Sequence, residues 1–244
     1  MIWQISDLPR GDRDCDLDSI STPIQDAMTL QLRVYVPPHP LIQHWLAVAR
    51  DQGTPSMLFR SAMTELGRWL TYEAIRDWLP TLDAQVQTPL AACPATFINP
   101  EVPVAVIPIL RAGLSMLDGA QSLLPLASIY HIGLARNEET LEPSWYLNKL
   151  PERFDPNTRV LIPEPMLATG GTSMTVMAEL VKRGVNPEWV RFISVVVSPT
   201  ALQKLSAEYA SLKIFTAAID ERLNDYGFIV PGLGDAGDRT FGTE

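Results

Sequence analysis

Residues 159–173 read RVLIPEPMLATGGTS, an apolar run followed by small and hydroxylated residues. The run Arg159–Pro163 is typical of a buried strand, and the periodic segment that begins near Thr172 is typical of a helix. The glycine pair at 170 and 171 lets the backbone turn tightly and approach a ligand closely. Free amides at the start of a helix, with the helix dipole behind them, attract phosphate groups. We therefore predict a phosphate-binding loop at this strand-to-helix junction.

Glu164 stands at the end of the predicted strand, directly before this loop. A carboxylate there can accept hydrogen bonds from two neighbouring sugar hydroxyls, so the segment suits a ribose 5-phosphate. The loop matches neither the P-loop nor the dinucleotide fingerprint. The glycine pair alone would be more typical of a plain turn.

The rest of the chain alternates short apolar runs with helical periodicity, which indicates an α/β fold. The strand candidates are Val104–Ile109, Ile129–Ala135, Arg159–Pro163, Val190–Val197 and Lys213–Ile219, with a further possible strand at Leu32–Val36. The helix candidates are Ser115–Leu123, Thr172–Arg183 and Ala201–Tyr209, after two earlier helices that begin near Pro40 and Leu58. Such a pattern predicts a parallel sheet covered on both faces, which binds ligands at the carboxyl ends of its strands.

Composition narrows the function classes. The 244 residues carry a formal net charge of −9, with 46% hydrophobic and 19% charged residues. This acidic balance disfavours nucleic-acid and anionic-membrane partners. The apolar runs are too short to span a bilayer, and Cys15 and Cys93 fit neither a disulfide framework nor a zinc site, so we expect a cytoplasmic protein. Residues 1–38 are interpreted as an N-terminal extension and residues 39–244 as the functional domain.

Three further parts of the sequence have both structural and functional interpretations. Arg111 lies at the carboxyl end of the first predicted strand, just after Ile109, where a guanidinium could bind phosphate oxygens or form a structural ion pair. Arg136 opens a polar segment that we interpret as an arm, either solvated or reaching the ligand. The glycine-rich segment 224–239 reads as a surface loop by composition, but its backbone groups could also line a slot for a planar base.

Four stretches together resemble the uracil phosphoribosyltransferases, a branch of the type I phosphoribosyltransferases. They are residues 164–173 (EPMLATGGTS), 108–114 (PILRAGL), 136–143 (RNEETLEP) and 227–239 (GFIVPGLGDAGDR). The likeness runs from about His39 to Glu244. It implies a type I phosphoribosyltransferase-like parallel sheet of about five strands with flanking helices, a projecting hairpin arm and a C-terminal base-binding hood.

The resemblance also implies a reaction in which uracil and 5-phosphoribosyl 1-diphosphate (PRPP) give UMP and diphosphate. The implied partners are these two substrates, Mg²⁺ arriving with the diphosphate, a GTP effector, and further copies of the chain in a homodimer or tetramer. The alternatives are a non-catalytic sensor of uracil or PRPP with the same fold, an RNA-binding regulator, which the net charge disfavours, and a transferase acting on another base.

The resemblance assigns roles to individual residues. The PRPP ligands would be Arg111, Arg136, Glu164, Pro165, Met166, Leu167, Ala168, Thr169, Gly170, Gly171, Thr172 and Asp235. Uracil would lie against Phe228, Ile229, Gly234, Asp235 and Ala236. The catalytic set would be Arg111 and Arg136, which neutralise the leaving diphosphate, and Asp235, the candidate proton acceptor. No residue is assigned as a direct metal ligand.

The chain departs from the family pattern at several positions. Glu164 stands where the family has Asp, and Pro163 where an aliphatic residue is usual. Phe228 replaces a common Tyr and keeps the ring without the hydroxyl, and Ala135 replaces a Tyr before the arm arginine. Because Glu keeps the charge of Asp and adds one methylene, we expect Glu164→Asp to preserve or raise activity.

Overall fold

The computed structural model describes residues 2–3, 32–136 and 143–243. The helices are α1 (Pro40–Arg50), α2 (Ser56–Ile75), α3 (Leu114–Leu123), α4 (Gly171–Lys182), α5 (Pro199–Glu208) and α6 (Ala236–Phe241). The strands are β1 (Ile2–Trp3), β2 (Arg33–Tyr35), β3 (Thr81–Gln87), β4 (Ala92–Ile98), β5 (Val104–Val106), β6 (Ile109–Leu110), β7 (Ser128–Ile129), β8 (Ile132–Arg136), β9 (Pro143–Asn148), β10 (Arg159–Pro163), β11 (Met166–Leu167), β12 (Val190–Val197), β13 (Lys213–Ile219), β14 (Arg222–Leu223) and β15 (Ile229–Val230).

The main sheet has the strand order β1-β2-β13-β12-β10-β5-β7, and β11 also pairs with β12. Each pairing is parallel except that of β1 with β2. Every residue of β12, at the centre, is buried, as a strand covered on both faces requires. This confirms the predicted α/β fold with a parallel sheet.

Two apolar cores lie on the two faces of the sheet. One joins α1, α2 and α3 to side chains such as Leu161 and Phe215. The other joins α4 and α5 to side chains such as Val160 and Phe192. The side chains of successive β10 residues therefore pack into opposite cores, as the period-two alternation of a strand requires.

Three of the predicted apolar runs form strands with the predicted bounds, namely β10, β12 and β13. The other two runs each divide in two. The run Val104–Ile109 gives β5 and β6, because the chain leaves the main sheet around Pro108, which has no N–H to donate. The run Ile129–Ala135 gives β7 in the main sheet and β8 in a second sheet, where β8 pairs with β6 and β9.

The possible strand at Leu32–Val36 is confirmed as β2, which pairs with β13 at the edge of the parallel sheet. Residues 4–31 of the predicted extension lie outside the described part of the chain. The division at residue 38 stays a prediction. Strands β3 and β4 form an antiparallel hairpin that the sequence analysis did not predict.

Candidate active site

A cleft of about 810 Å³ opens at the carboxyl ends of the parallel strands. One wall is the loop from β10 to α4, and the other is the hairpin β14–β15 with the start of α6. The lining residues are Glu164, Met166, Ala168, Thr169, Gly170, Gly171, Thr172, Ser173, Asp225, Tyr226, Gly227, Phe228, Ile229 and Asp235. Two segments separated by about fifty residues of sequence thus face each other, as the parallel topology predicts.

The predicted phosphate loop forms the first wall. Gly170 is the N-cap of α4 and has a φ of 77°, a left-handed conformation that suits glycine. The amides of the first turn of α4 have no partners within the helix and are available to an anion. Neighbouring Ser198 fixes the loop from the end of β12, because its N–H donates to the Leu167 oxygen and its hydroxyl donates to the Ala168 oxygen.

Glu164 lies at the base of this loop, where it also borders a second cavity of about 220 Å³. Burial raises the pKa of its carboxyl group to about 8, although a hydrogen bond from the Met166 N–H opposes that shift. A carboxyl group with this pKa keeps its proton at neutral pH. It can then both donate a hydrogen bond to one sugar hydroxyl and accept one from another.

Arg111 lines the smaller cavity, next to the larger cleft. Its Nη2 lies 2.9 Å from Oδ1 of Asp238 in α6, so the structural ion pair considered from the sequence is present. The Thr243 hydroxyl donates to the same carboxylate oxygen at 2.7 Å. The hydrogen bond from Thr243 and the pairing with Arg111 outweigh desolvation and lower the pKa of Asp238. Because only one of the five guanidinium N–H groups needs to face Asp238, others can face a ligand in the cavity.

Asp235 borders both cavities and is the N-cap of α6. Its Oδ1 accepts a hydrogen bond from the Asp238 N–H at 2.9 Å. Because a carboxylate has several acceptor sites, Asp235 can cap the helix and still accept a proton or a hydrogen bond from a ligand.

The base-binding prediction concerned Phe228, Ile229, Gly234, Asp235 and Ala236. Phe228, Ile229 and Asp235 line the larger cleft, with Ile229 buried and Phe228 46% exposed. Gly234 and Ala236 flank Asp235 but are not among the described lining residues of either cavity. The same holds for Pro165 and Leu167 of the phosphate loop, which are buried.

The turn between β14 and β15 adds lining residues that the sequence analysis did not name, Asp225 and Tyr226. The Asn224 Oδ1 accepts hydrogen bonds from the N–H groups of Tyr226 at 3.1 Å and Phe228 at 2.9 Å. The available signal was the turn-forming sequence Asn-Asp-Tyr-Gly, since Asn often accepts from the backbone two residues later.

Arg136 ends β8, and its backbone pairs with Pro143 of β9 in an antiparallel arrangement. The predicted hairpin arm is therefore present at its base. The side chain of Arg136 and residues 137–142 lie outside the described part of the chain, so its predicted contact with PRPP remains a prediction.

The described residues contain no cluster of three or more His, Cys, Asp or Glu side chains that could hold a metal ion. The cleft does present single carboxyl groups from Glu164, Asp225 and Asp235. The carboxylates of Asp225 and Asp235 fit Mg²⁺, which usually binds one or two carboxylates together with substrate phosphates and water. No helix among the described residues is long and apolar enough to cross a membrane.

Comparisons with known proteins agree over nearly the whole domain. A family model described as uracil phosphoribosyltransferase matches residues 36–243. The uracil phosphoribosyltransferase of Nostoc sp. is 74% identical over 216 residues, covering 88% of this chain and 100% of that protein. The enzyme of that name from Nicotiana tabacum is 51% identical and covers 87% of this chain and 95% of that protein. A solved structure of a protein from Aquifex aeolicus has a TM-score of 0.78 and 39% identity, covering 85% of this chain and 97% of that one.

Proposed function

The chain belongs to the uracil phosphoribosyltransferase family, and we therefore propose that it converts uracil and PRPP to UMP and diphosphate. The observation that carries the proposal is the pairing of two walls across one cleft. A helix N-terminus with a small-residue loop suits the 5-phosphate, and the loop that begins at Phe228 suits the base. A transferase with two substrates needs both subsites within bonding distance of one carbon.

The reaction joins N1 of uracil to C1′ of the ribose and breaks the bond from C1′ to the diphosphate oxygen. Diphosphate leaves with the electron pair, and the proton on N1 passes to an acceptor. Asp235 is the proposed acceptor, because its carboxylate lies between the two cavities. The protein supplies no nucleophile, and its task is to align the substrates and stabilise charge.

Arg111 and Arg136 are the proposed ligands of the leaving diphosphate. The position of Arg111 in the smaller cavity supports its part. Bound Mg²⁺ would neutralise charge on the diphosphate, with the carboxylates of Asp225 and Asp235 in the cleft available to hold it. Glu164 would hold the ribose hydroxyls at the base of the cleft.

The direct test is transfer of radiolabelled uracil by the purified chain with PRPP and Mg²⁺, with cytosine as a control base. We expect labelled UMP and no product from cytosine. Calorimetry should accompany the assay, because binding of uracil or PRPP without transfer would replace this proposal with the sensor. Transfer to cytosine or to a purine instead would identify another base.

A paired substitution tests the phosphate loop. Thr172 lines both cavities, whereas Thr175, one turn along the same helix, donates to the Gly171 oxygen. Loss of one hydrogen bond to a charged group weakens binding by about tenfold or more. Thr172→Val should therefore raise the KM for PRPP by about this factor, and Thr175→Val should leave it near the wild-type value. Equal KM values for both variants would contradict the assignment.

Membership of the family also supports proposals about assembly, regulation, location and the domain boundary. We propose a homodimer or tetramer, activation by GTP, a cytoplasmic location, and a domain that begins near residue 39. Light scattering after size exclusion tests the assembly, and GTP titration of the transfer assay tests the effector. Fractionation of cells tests the location, and truncation before residue 39 tests the boundary.

A further inference from the structure

The segment that follows β15 bends sharply at Gly232, between two parts of the proposed base site. Ile229 lies before the bend, and Gly234 with Asp235 lies after it. Gly232 has a φ of 59°, and a Cβ at this position would clash with the Ile229 backbone oxygen. The direction of the chain at this residue therefore determines how the two parts face each other.

The peptide groups of Gly232 are held on both sides by one ion pair. The Gly232 N–H donates to Oδ2 of Asp220 at 2.8 Å. The Gly232 oxygen accepts from Nη1 of Arg50 at 2.9 Å. Arg50 and Asp220 also bind each other through two hydrogen bonds, of 2.6 and 2.9 Å. The bend is thus fixed by residues far from it in sequence.

The pair itself is anchored in regular structure. Asp220 directly follows β13, is 4% exposed, and its N–H donates to the Val197 oxygen of β12. Arg50 is the last residue of α1. A buried carboxylate requires such a partner, because an unpaired charge in the interior is strongly unfavourable. The paired fork of a guanidinium on a carboxylate also restricts orientation more than a single hydrogen bond does.

A second arginine ties the following residue to the same end of α1. Arg239 donates through Nη1 to the Leu233 and Ala49 oxygens and through Nη2 to the Asp51 oxygen. Its guanidinium also lies 4.3 Å from the centre of the Phe59 ring. The carboxyl end of α1 is thus a fixed support for the segment after β15.

We propose that Arg50 and Asp220 are positioning residues for base recognition. They hold the Gly232 bend so that Ile229 and the Gly234–Asp235 segment present a fixed edge to the base. Neither side chain is a described lining residue of either cavity, so they act through the backbone. That the ligand is uracil rests on the proposed function, whereas the fixed bend does not.

The substitution Arg50→Lys tests the proposal, because Lys keeps the charge but lacks the guanidinium fork. A displacement of about 1 Å can reduce a rate by about a hundredfold, and we expect a smaller shift that raises the KM for uracil about tenfold. The KM for PRPP should stay near the wild-type value. If Arg50 only stabilised the fold, Arg50→Lys would change the KM values for uracil and PRPP by similar factors.

Arg183→Lys is the matched control. Arg183 is 20% exposed against 24% for Arg50, and it also binds a carboxylate, of Glu179, and two backbone oxygens, of Leu150 and Pro151. It lies at the end of α4 away from the phosphate loop. Arg183→Lys should leave the ratio of the two KM values unchanged. A rise in the KM for PRPP equal to that for uracil in Arg50→Lys, or the same ratio change in the control, would overturn the proposal.

Hydrogen exchange of the Gly232 amide provides a readout that does not depend on activity. We expect slow exchange in the wild-type chain and faster exchange in Arg50→Lys, with no change in Arg183→Lys. Asp220→Asn, which keeps the shape of the side chain, serves if Arg50→Lys does not fold, with the same expected direction. Rapid exchange at Gly232 in the wild-type chain would refute the fixed bend, whereas slow exchange without uracil transfer would refute only the proposed function.

Discussion

Among single residues, Glu164 is an acid kept in its protonated form by its surroundings. Burial raises its pKa to about 8 from an ordinary value of 4.5, so the native state holds the proton over a pH range in which the unfolded chain releases it. The stabilisation that comes from proton binding by Glu164 is fully present below pH 4.5 and is lost as the pH rises through about 8. Glu164→Gln removes the titration. In urea unfolding, the free energy of unfolding of Glu164→Gln should therefore decrease less than that of the wild-type chain as the pH rises from 4.5 to about 8.

Glu164→Asp is the control, because it keeps a titratable carboxyl group at the same place. The dependence on pH should persist in that variant. Parallel curves for the wild-type chain and Glu164→Gln would show that the carboxyl group of Glu164 does not titrate abnormally.

Asp238 belongs to an ion pair whose other member is the proposed ligand of the diphosphate. Its carboxylate pairs with Arg111, whose side chain is otherwise 55% exposed. Loss of an exposed charge pair weakens an interaction by only about twofold to fivefold. Asp238→Asn should therefore raise the inhibition constant for diphosphate by that factor, because Arg111 is less well oriented.

A double-mutant cycle separates this effect from damage to α6. In an Arg111→Ala background, Asp238→Asn should have no further effect on diphosphate inhibition. Additive effects of the two substitutions would show that Asp238 acts on the site by another route.

On the scale of elements, the turn from β14 to β15 holds one wall of the cleft. Its backbone depends on the Asn224 side chain, which accepts from two N–H groups. Asn224→Ala leaves both groups without that acceptor, and we expect faster hydrogen exchange at residues 226–228. The KM for uracil should rise about threefold to tenfold, corresponding to the loss of about one net hydrogen bond.

Asn99→Ala is a suitable comparison, because the Asn99 Oδ1 accepts from the Glu101 N–H in an exposed turn that does not line the cleft. We expect no change in the KM for uracil there. An equal change in both variants would show that the turn at 224–228 has no special part in base binding.

The sequence predicted best those strands that are buried on both faces, because burial makes their apolar runs continuous. The apolar runs of β10, β12 and β13 are continuous because both faces of these strands are covered. The hairpin β3–β4 was missed although Leu82, Ala84 and Val86 alternate with polar residues, which is the usual signal of a strand.

The candidate site was predictable where its residues are adjacent in sequence, as in the phosphate loop. The contacts of Arg50 with Asp220 and of Arg111 with Asp238 join residues 170 and 127 positions apart. No local spacing encodes such pairs, because they arise from the order of strands in the sheet. The sequence thus indicated the loops of the cleft but not the side chains that hold them together.

For the whole molecule, one buried cation joins the helical layer to the sheet. Arg191 of β12 is 2% exposed and donates to the Asp77 carboxylate at 2.7 Å and to the Ala74 oxygen near the end of α2. Lys213 of β13 pairs with the same carboxylate. Burial raises the pKa of Asp77, but its hydrogen bonds with Arg191 and Lys213 outweigh that and lower the pKa to about 2.

The resulting stabilisation is present above pH 3.8 and is lost as the pH falls through about 2. Asp77→Asn should therefore reduce the free energy of unfolding at neutral pH by about 1 kcal/mol, a low value for a charged hydrogen bond because the carboxylate is largely exposed. Urea unfolding should show this difference at pH 7 and its disappearance in strong acid. A difference of constant size at all pH values would argue that the carboxylate charge is not its source.

The support that the carboxyl end of α1 gives to the segment after β15 has a consequence for the order of events during synthesis. Residues 159–183, which include the predicted phosphate loop and α4, are synthesised before Asp220, Gly232 and Arg239 are added to the chain. Until Asp220 is added, Arg50 cannot form its ion pair with that residue. These contacts cannot form until the last of their residues has been added, so a nascent chain contains the loop before α4 well before the segment after β15 can be fixed against α1.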